Sequence, residues 1–98
     1  MEKFNDYLTL QLQDQDELVA YINAALEQYS IDQNKELFLA AIKEAIIARG
    51  GVTKVAIQAH INRQHIYRML SSKGNPSFDN IGILLSVLGT RLMVEARA

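Results

Sequence analysis

Cysteine is absent from this chain, which excludes disulfides and thiolate metal sites and fits a reducing compartment. No apolar run approaches the roughly 18 residues that a transmembrane helix needs, and Ile81–Leu88 comes nearest. The opening residues, Met1-Glu2-Lys3-Phe4-Asn5-Asp6, lack a basic stretch followed by an apolar one, so no signal peptide is expected there. Low-complexity tracts and internal repeats are also missing. These absences suit a soluble cytoplasmic protein with no membrane partner. With 98 residues, 49% of them hydrophobic, residues 1–98 are expected to form one domain with a small core. Dimerisation would help bury what so small a domain leaves exposed.

Negative charge is missing where it says most. From Ala45 to Phe78 there is no Asp or Glu, but there are Arg49, Lys54, Arg63, Arg68 and Lys73. Glu44 and Asp79 bracket this block. Residues 1–44 carry a net charge of −6 and residues 79–98 balance, so a +5 segment hides inside a chain of net −1. Binding to a phosphate backbone needs local cation density, which total charge can conceal. The acidic half would face water or a basic partner.

Periodicity divides the rest. Tyr7 to Gln13 alternates, with Leu8, Leu10 and Leu12 on one side, which predicts a short strand. Asp14, with Glu17 three residues on to complete a capping box, predicts a capped helix to about Tyr29, striped by Leu18, Ile22, Ala25, Leu26 and Tyr29. Asp32 is expected to cap a second helix, whose apolar face is Phe38, Ala41, Ile42, Ala45 and Ile46 and which Gly50-Gly51 stops. Thr53 would cap a third helix ending near Ala59, and Asn62 a fourth, from Arg63 to about Ser71. Lys73-Gly74-Asn75-Pro76 reads as a loop. Ser77 would cap a fifth helix striped by Phe78, Ile81, Leu84, Leu85 and Leu88, ended by Gly89. Thr90 to Glu95 alternates again and predicts a second strand. The expected order is β-α-α-α-α-α-β: mainly α, five helices with a short strand at each terminus.

Residues 53–70, within a core of about 52–72, read as a helix-turn-helix. Val55 and Ala59 would pack inward from the first helix, Ala56 would allow close approach of the second, Ile61 would plug the turn, and Ile66, Met69 and Leu70 would hold the second helix down. That leaves Arg63, Gln64, Tyr67, Arg68 and Ser71 outward. Arg bonds guanine in bidentate fashion, Gln can do the same to adenine, and Tyr and Ser reach phosphates. The helix N-terminus at Asn62 can meet a phosphate, and His65 and Lys73 read as backbone contacts beside the same face. The turn itself usually takes Gly because its backbone often needs positive φ. His60 stands there instead, and His tolerates that region better than most side chains.

The segment INRQHIYRMLS, followed by GNPSFDNI and then LGTRL, resembles the Cro/XRE-type helix-turn-helix of HigA-like antitoxins, the addiction module antidote group. The upstream DELVAYINAALE and ELFLAAIKEAIIARG resemble that group's leading helices, so the likeness spans about residues 14–95. The resemblance implies a DNA-binding homodimer that represses its own operon on double-stranded operator DNA. It also implies neutralisation of a toxin of the RelE/HigB/ParE-like type. On the family pattern Arg63, Gln64 and Arg68 fall at base-reading positions, and Thr53 and Asn62 at phosphate-contacting ones. With Lys54, His65, Tyr67 and Lys73 these make up the candidate DNA interface.

Other functions fit less well. His60 and His65 are five apart, which is not one helical face, and no carboxylate lies in the block to orient either. No Gly-rich phosphate loop and no Ser/His/Asp constellation appears, so neither an enzyme, a metal site nor a cofactor is expected. Two neighbouring readings stay open: a stand-alone prophage-type regulator without a toxin, and a toxin-binding module that has lost DNA binding. A small basic toxin would suit the acidic first half, and the terminal strands are expected to contribute to a dimer interface.

Overall fold

A computed structural model describes residues 3–97 of the chain. Met1 and Glu2, part of the opening stretch read for a signal peptide, lie outside the described residues, as does Ala98. The described residues form six helices: α1 (Lys3–Gln11), α2 (Gln15–Asp32), α3 (Glu36–Ala48), α4 (Val52–Ala59), α5 (Arg63–Met69) and α6 (Phe78–Val87). The mainly helical class agrees with the sequence, but neither expected strand is present among the described residues.

The first strand is replaced by α1. The alternation of Leu8, Leu10 and Leu12 contains an i, i+4 pair, and so short a window satisfies a period of 3.6 as well as a period of 2. Leu12 is fully buried and Leu8 half-buried, whereas Leu10 is exposed. That is the outcome of one helical face packing against α3. The second expected strand, Thr90 to Glu95, has lost its natural partner. Thr90 closes α6, with its amide and hydroxyl both donating to the Leu85 carbonyl at 2.9 and 2.8 Å. Residues 91–97 then run without regular structure, with Met93 and Val94 open to solvent.

Helix α3 forms the centre. Phe38, Leu39, Ala41, Ile42, Ala45, Ile46 and Ala48 are all buried, so it faces core on more than one side. A large aliphatic side chain such as Ile42 or Ile46 contributes about 1.5–3 kcal/mol by leaving water. α2 packs on α3 through Leu18, Ile22 and Ala25, and α4 packs on α5 and α6. The set meets at Val55, Ile66, Leu84 and Leu88. Phe78, expected in the α6 stripe, instead stands exposed on the helix's first residue.

The caps explain most boundaries. Asp14 Oδ1 accepts from the amides of Asp16 at 2.8 Å and Glu17 at 3.3 Å. The Glu17 side chain does not close a capping box; its carboxylate accepts from Gln11 instead. Asp32 is the last residue of α2 rather than the cap of α3. Its carboxylate accepts first from the Asn34 amide and then from Gln28, which holds its carboxyl below the ordinary Asp range. Asn34 in turn accepts from the Glu36 amide at the start of α3. Gln15 braces three helix ends, donating to the carbonyls of Leu88 and Gly89 and accepting from Arg49.

Candidate nucleic-acid interface

The turn between α4 and α5 is His60-Ile61-Asn62. His60 sits at φ 58°, ψ 39°, in the left-handed region, as its place in the turn demands. That conformation lets the Ile61 amide reach back to the Ala56 carbonyl at 3.1 Å, which satisfies a helix-end acceptor. Ile61 packs against the core, and Val55, Ala56, Ala59, Ile66, Met69 and Leu70 are buried. Asn62 caps α5, its Oδ1 accepting from the amides of Gln64 at 2.7 Å and His65 at 3.3 Å. Those two amides are therefore occupied, and Asn62 meets solvent through the rest of its side chain.

With its apolar side seated, α5 turns Arg63, Gln64, Tyr67 and Arg68 outward, all exposed. Thr53 is not the cap of α4, since Gly51 holds that position at φ 97°. As the second residue of α4, Thr53 accepts from Arg63 Nη1 at 3.0 Å and ties the start of one helix to the start of the next. Arg68 Nη2 lies 3.4 Å from His65 Nδ1. His65 is half-buried, and its Nε2 lies 3.4 Å from the side-chain amide of Asn80 on α6. Both arginines thus lean on neighbours instead of hanging free.

The remaining candidates are less tightly placed. Lys54 is exposed, its stem lying over Gly50, where a Cβ would come within 2.6 Å of Lys54 Cδ. Lys73 is exposed in the loop between α5 and α6, with no hydrogen bond to another candidate among the described residues. Gly74 is buried in that loop against the end of α5, and Ser71 Oγ donates to the Arg68 carbonyl at 2.9 Å.

The fold redistributes charge that a segment tally had grouped. Arg49, one of the five cations of the acid-free block, points away toward the α1–α2 junction, where it donates to the Gln13 carbonyl and to Gln15. Two lysines of the acidic half lie beside the loop and α5 instead. Lys35 Nζ donates to Asn75 Oδ1 at 2.9 Å, and Lys43 shares a groove with Tyr67, Leu70 and Ser71. Glu36 lines the adjoining groove with Leu37, Ala40 and Lys43, so this flank is mixed in sign. No linear reading flags Lys35, Lys43 or Asn80; only the α3 spacing of Leu37, Ala40 and Lys43 hints that they share a side. No cluster of three candidate metal ligands occurs among the described residues, and none of their helices is long and apolar enough to cross a membrane.

No solved structure matches this chain. A protein of Haemophilus influenzae (strain ATCC 51907 / DSM 11121 / KW20 / Rd), described as an uncharacterized protein, is 30% identical over 84 residues, covering 86% of this chain and 81% of its own length. A family model described as "Probable addiction module antidote protein" matches residues 1–96, almost the whole chain. Through that match, over the same helices that carry the α4–α5 pair, the chain belongs to the family of probable addiction module antidote proteins.

Proposed function

We propose that this chain is an antitoxin that binds operator DNA in a sequence-specific manner, represses its own operon and neutralises a toxin. One observation carries the DNA half: Arg63, Gln64, Tyr67 and Arg68 form the exposed face of α5, in a segment without a single acid. In this reading α4 and α5 act as a Cro/XRE-type helix-turn-helix, with α5 in the major groove. Arg63, Gln64 and Arg68 read base edges, while Thr53, Lys54, Asn62, Tyr67 and Lys73 position the backbone. No catalytic step, cofactor or metal is part of it.

The working form is a homodimer on double-stranded DNA, because a seven-residue helix spans too few base pairs for useful specificity. Pairing of terminal strands no longer supports that state, since α1 is a helix. The toxin half rests on the family description and on the acidic helices. Asp16, Glu17, Glu27 and Asp32 of α2 are exposed, as are the apolar Tyr7 and Leu10 of α1. A small basic toxin would be steered to this side, leaving α5 free for DNA.

The deciding experiment measures binding to the duplex upstream of the chain's own reading frame over a range of salt. Affinity that falls steeply with salt and exceeds that for a scrambled duplex supports the reading. Equal, salt-insensitive binding to both would favour a toxin-binding module without DNA recognition. Co-expression with the product of the adjacent reading frame tests the other half. Deleting α2 would strip Leu18, Ile22 and Ala25 from the core, so the suitable probe is charge reversal at Glu27 with Asp16→Asn. Loss of the complex with DNA binding retained supports separate surfaces.

A further inference from the structure

His65 touches two groups that bear on which ring nitrogen carries its proton, and one of them lies outside the α4–α5 pair. Nδ1 is 3.4 Å from Arg68 Nη2, and Nε2 is 3.4 Å from the Asn80 side-chain nitrogen. A guanidinium offers five donors and no acceptor. Nδ1 must therefore be the bare, accepting nitrogen, and the ring proton belongs on Nε2. That proton needs an acceptor, so the Asn80 amide has to present Oδ1 to the ring rather than its NH2 group. This is the one assignment of ring and amide that satisfies both contacts.

The pieces are held from behind. Asn80 is the third residue of α6, and its backbone amide donates at 3.1 Å to Ser77 Oγ, the cap of that helix. His65 and Arg68 are three apart on α5, where the helix brings side chains together. The line from the α6 cap to the exposed arginine thus runs Ser77, Asn80, His65, Arg68.

We propose that Asn80 is a positioning residue for DNA specificity: through the Nε2–H form of His65 it holds the Arg68 guanidinium where a base edge can be read. This rests on the DNA-binding reading above. A long, exposed arginine loses rotamer freedom when it is fixed on a ligand, and holding it in advance removes part of that loss. His65 then acts as a neutral acceptor behind Arg68 and not as a phosphate contact. The effect is confined to specific complexes. Non-specific binding follows the number of neutralised phosphates, and Asn80 carries no charge.

The test uses the whole chain, a duplex selected from a randomised library, and a scrambled duplex of equal length. Asn80→Leu should lower the ratio of selected to scrambled affinity by about three- to tenfold, the range of one hydrogen bond, with the salt slope unchanged. In an Arg68→Ala background the same change should have no further effect on that ratio. Ring 15N shifts should place the His65 proton on Nε2 in the wild type, with Nδ1 bare beside Arg68. If Asn80→Leu unfolds the protein, Asn80→Ala repeats the measurement without added apolar surface. An Nδ1–H tautomer in the wild type overturns the proposal, as does an unchanged ratio. So does an equal loss from Asn80→Leu with and without Arg68, which would mark a merely structural role. Failure of the wild type to prefer any selected duplex is a separate result: it removes the DNA-binding reading, and the proposal with it.

Discussion

Replacing Gly74 with alanine is expected to damage this fold more than any other one-carbon change in its loops. A Cβ at that position would sit 2.0 Å from the Met69 carbonyl oxygen, 2.6 Å from its carbon and 2.8 Å from the Arg68 carbonyl oxygen. Comfortable contact lies near 3.5 Å, so the loop and the end of α5 must part by roughly 1.5 Å. The obstacle is backbone on both sides, so no rotamer change relieves it. Overpacking typically costs 1–3 kcal/mol, and a main-chain collision belongs at or beyond the upper end, about 3 kcal/mol. A domain of this size has about 5–15 kcal/mol in all. At roughly 4–8 °C per kcal/mol, melting should fall by about 12–24 °C. Gly82→Ala is the internal control. It lies within α6 with nothing within 4 Å of its would-be Cβ. Alanine there should raise stability by about 0.5–1 kcal/mol, because glycine is the poorer helix former. Thermal and urea unfolding followed by circular dichroism would measure both. A Gly74→Ala melt within about 4 °C of wild type, or both alanines shifting the melt in one direction, would refute the packing argument.

Three more outcomes are expected. Arg63→Ala or Arg68→Ala should each reduce discrimination between a selected and a scrambled duplex by roughly 1–3 kcal/mol, while Lys73→Ala weakens both alike and flattens the salt slope by about one unit; titrations at several salt concentrations separate the two classes. His60→Gly should stabilise the chain by about 0.5–1 kcal/mol, because φ 58° strains any residue with a Cβ, and urea denaturation would read it. The Tyr21 phenol is pushed above its ordinary value by burial and, secondarily, by the nearby Glu44 carboxylate. The folded state therefore keeps this proton at a pH where the unfolded chain has lost it, so stability should be unaffected below about pH 10 and decline as pH climbs from there toward the raised value, measured by urea midpoints at alkaline pH.

What could be read in advance depended on how local the cause was. Asn62 and Ser77 announce their helices because a cap is a short-range bond between a side chain and an amide two or three residues on. The burial of Ile66, Met69 and Leu70, and with it the outward face of α5, follows from helical spacing within one element. Where period alone had to decide, it failed. Leu8, Leu10 and Leu12 fit a strand and a helix equally over so few residues, and α3 supplied the surface that selected the helix. The alternation after Thr90 needed a neighbouring strand that α1 does not provide. Charge was legible as a run but not as a surface, because tertiary contact sends Arg49 to the far junction and brings Lys35 and Lys43 alongside the loop and α5. Asn80 gave no signal at all, since its partner His65 is 15 positions away on another helix.

The brace at Gln15 has a kinetic consequence. Its bonds to Leu88 and Gly89 span 73 and 74 residues, and its bond to Arg49 spans 34, so all three close large loops. Loop closure of that length is unfavourable early in folding, whereas the α4–α5 pair needs only contacts between near neighbours. The brace is therefore expected to form late, with most of its energy in the barrier to opening rather than the barrier to folding. On that expectation Gln15 is a latch: its loss should shorten the time the six helices stay assembled and leave the speed of their assembly nearly unchanged.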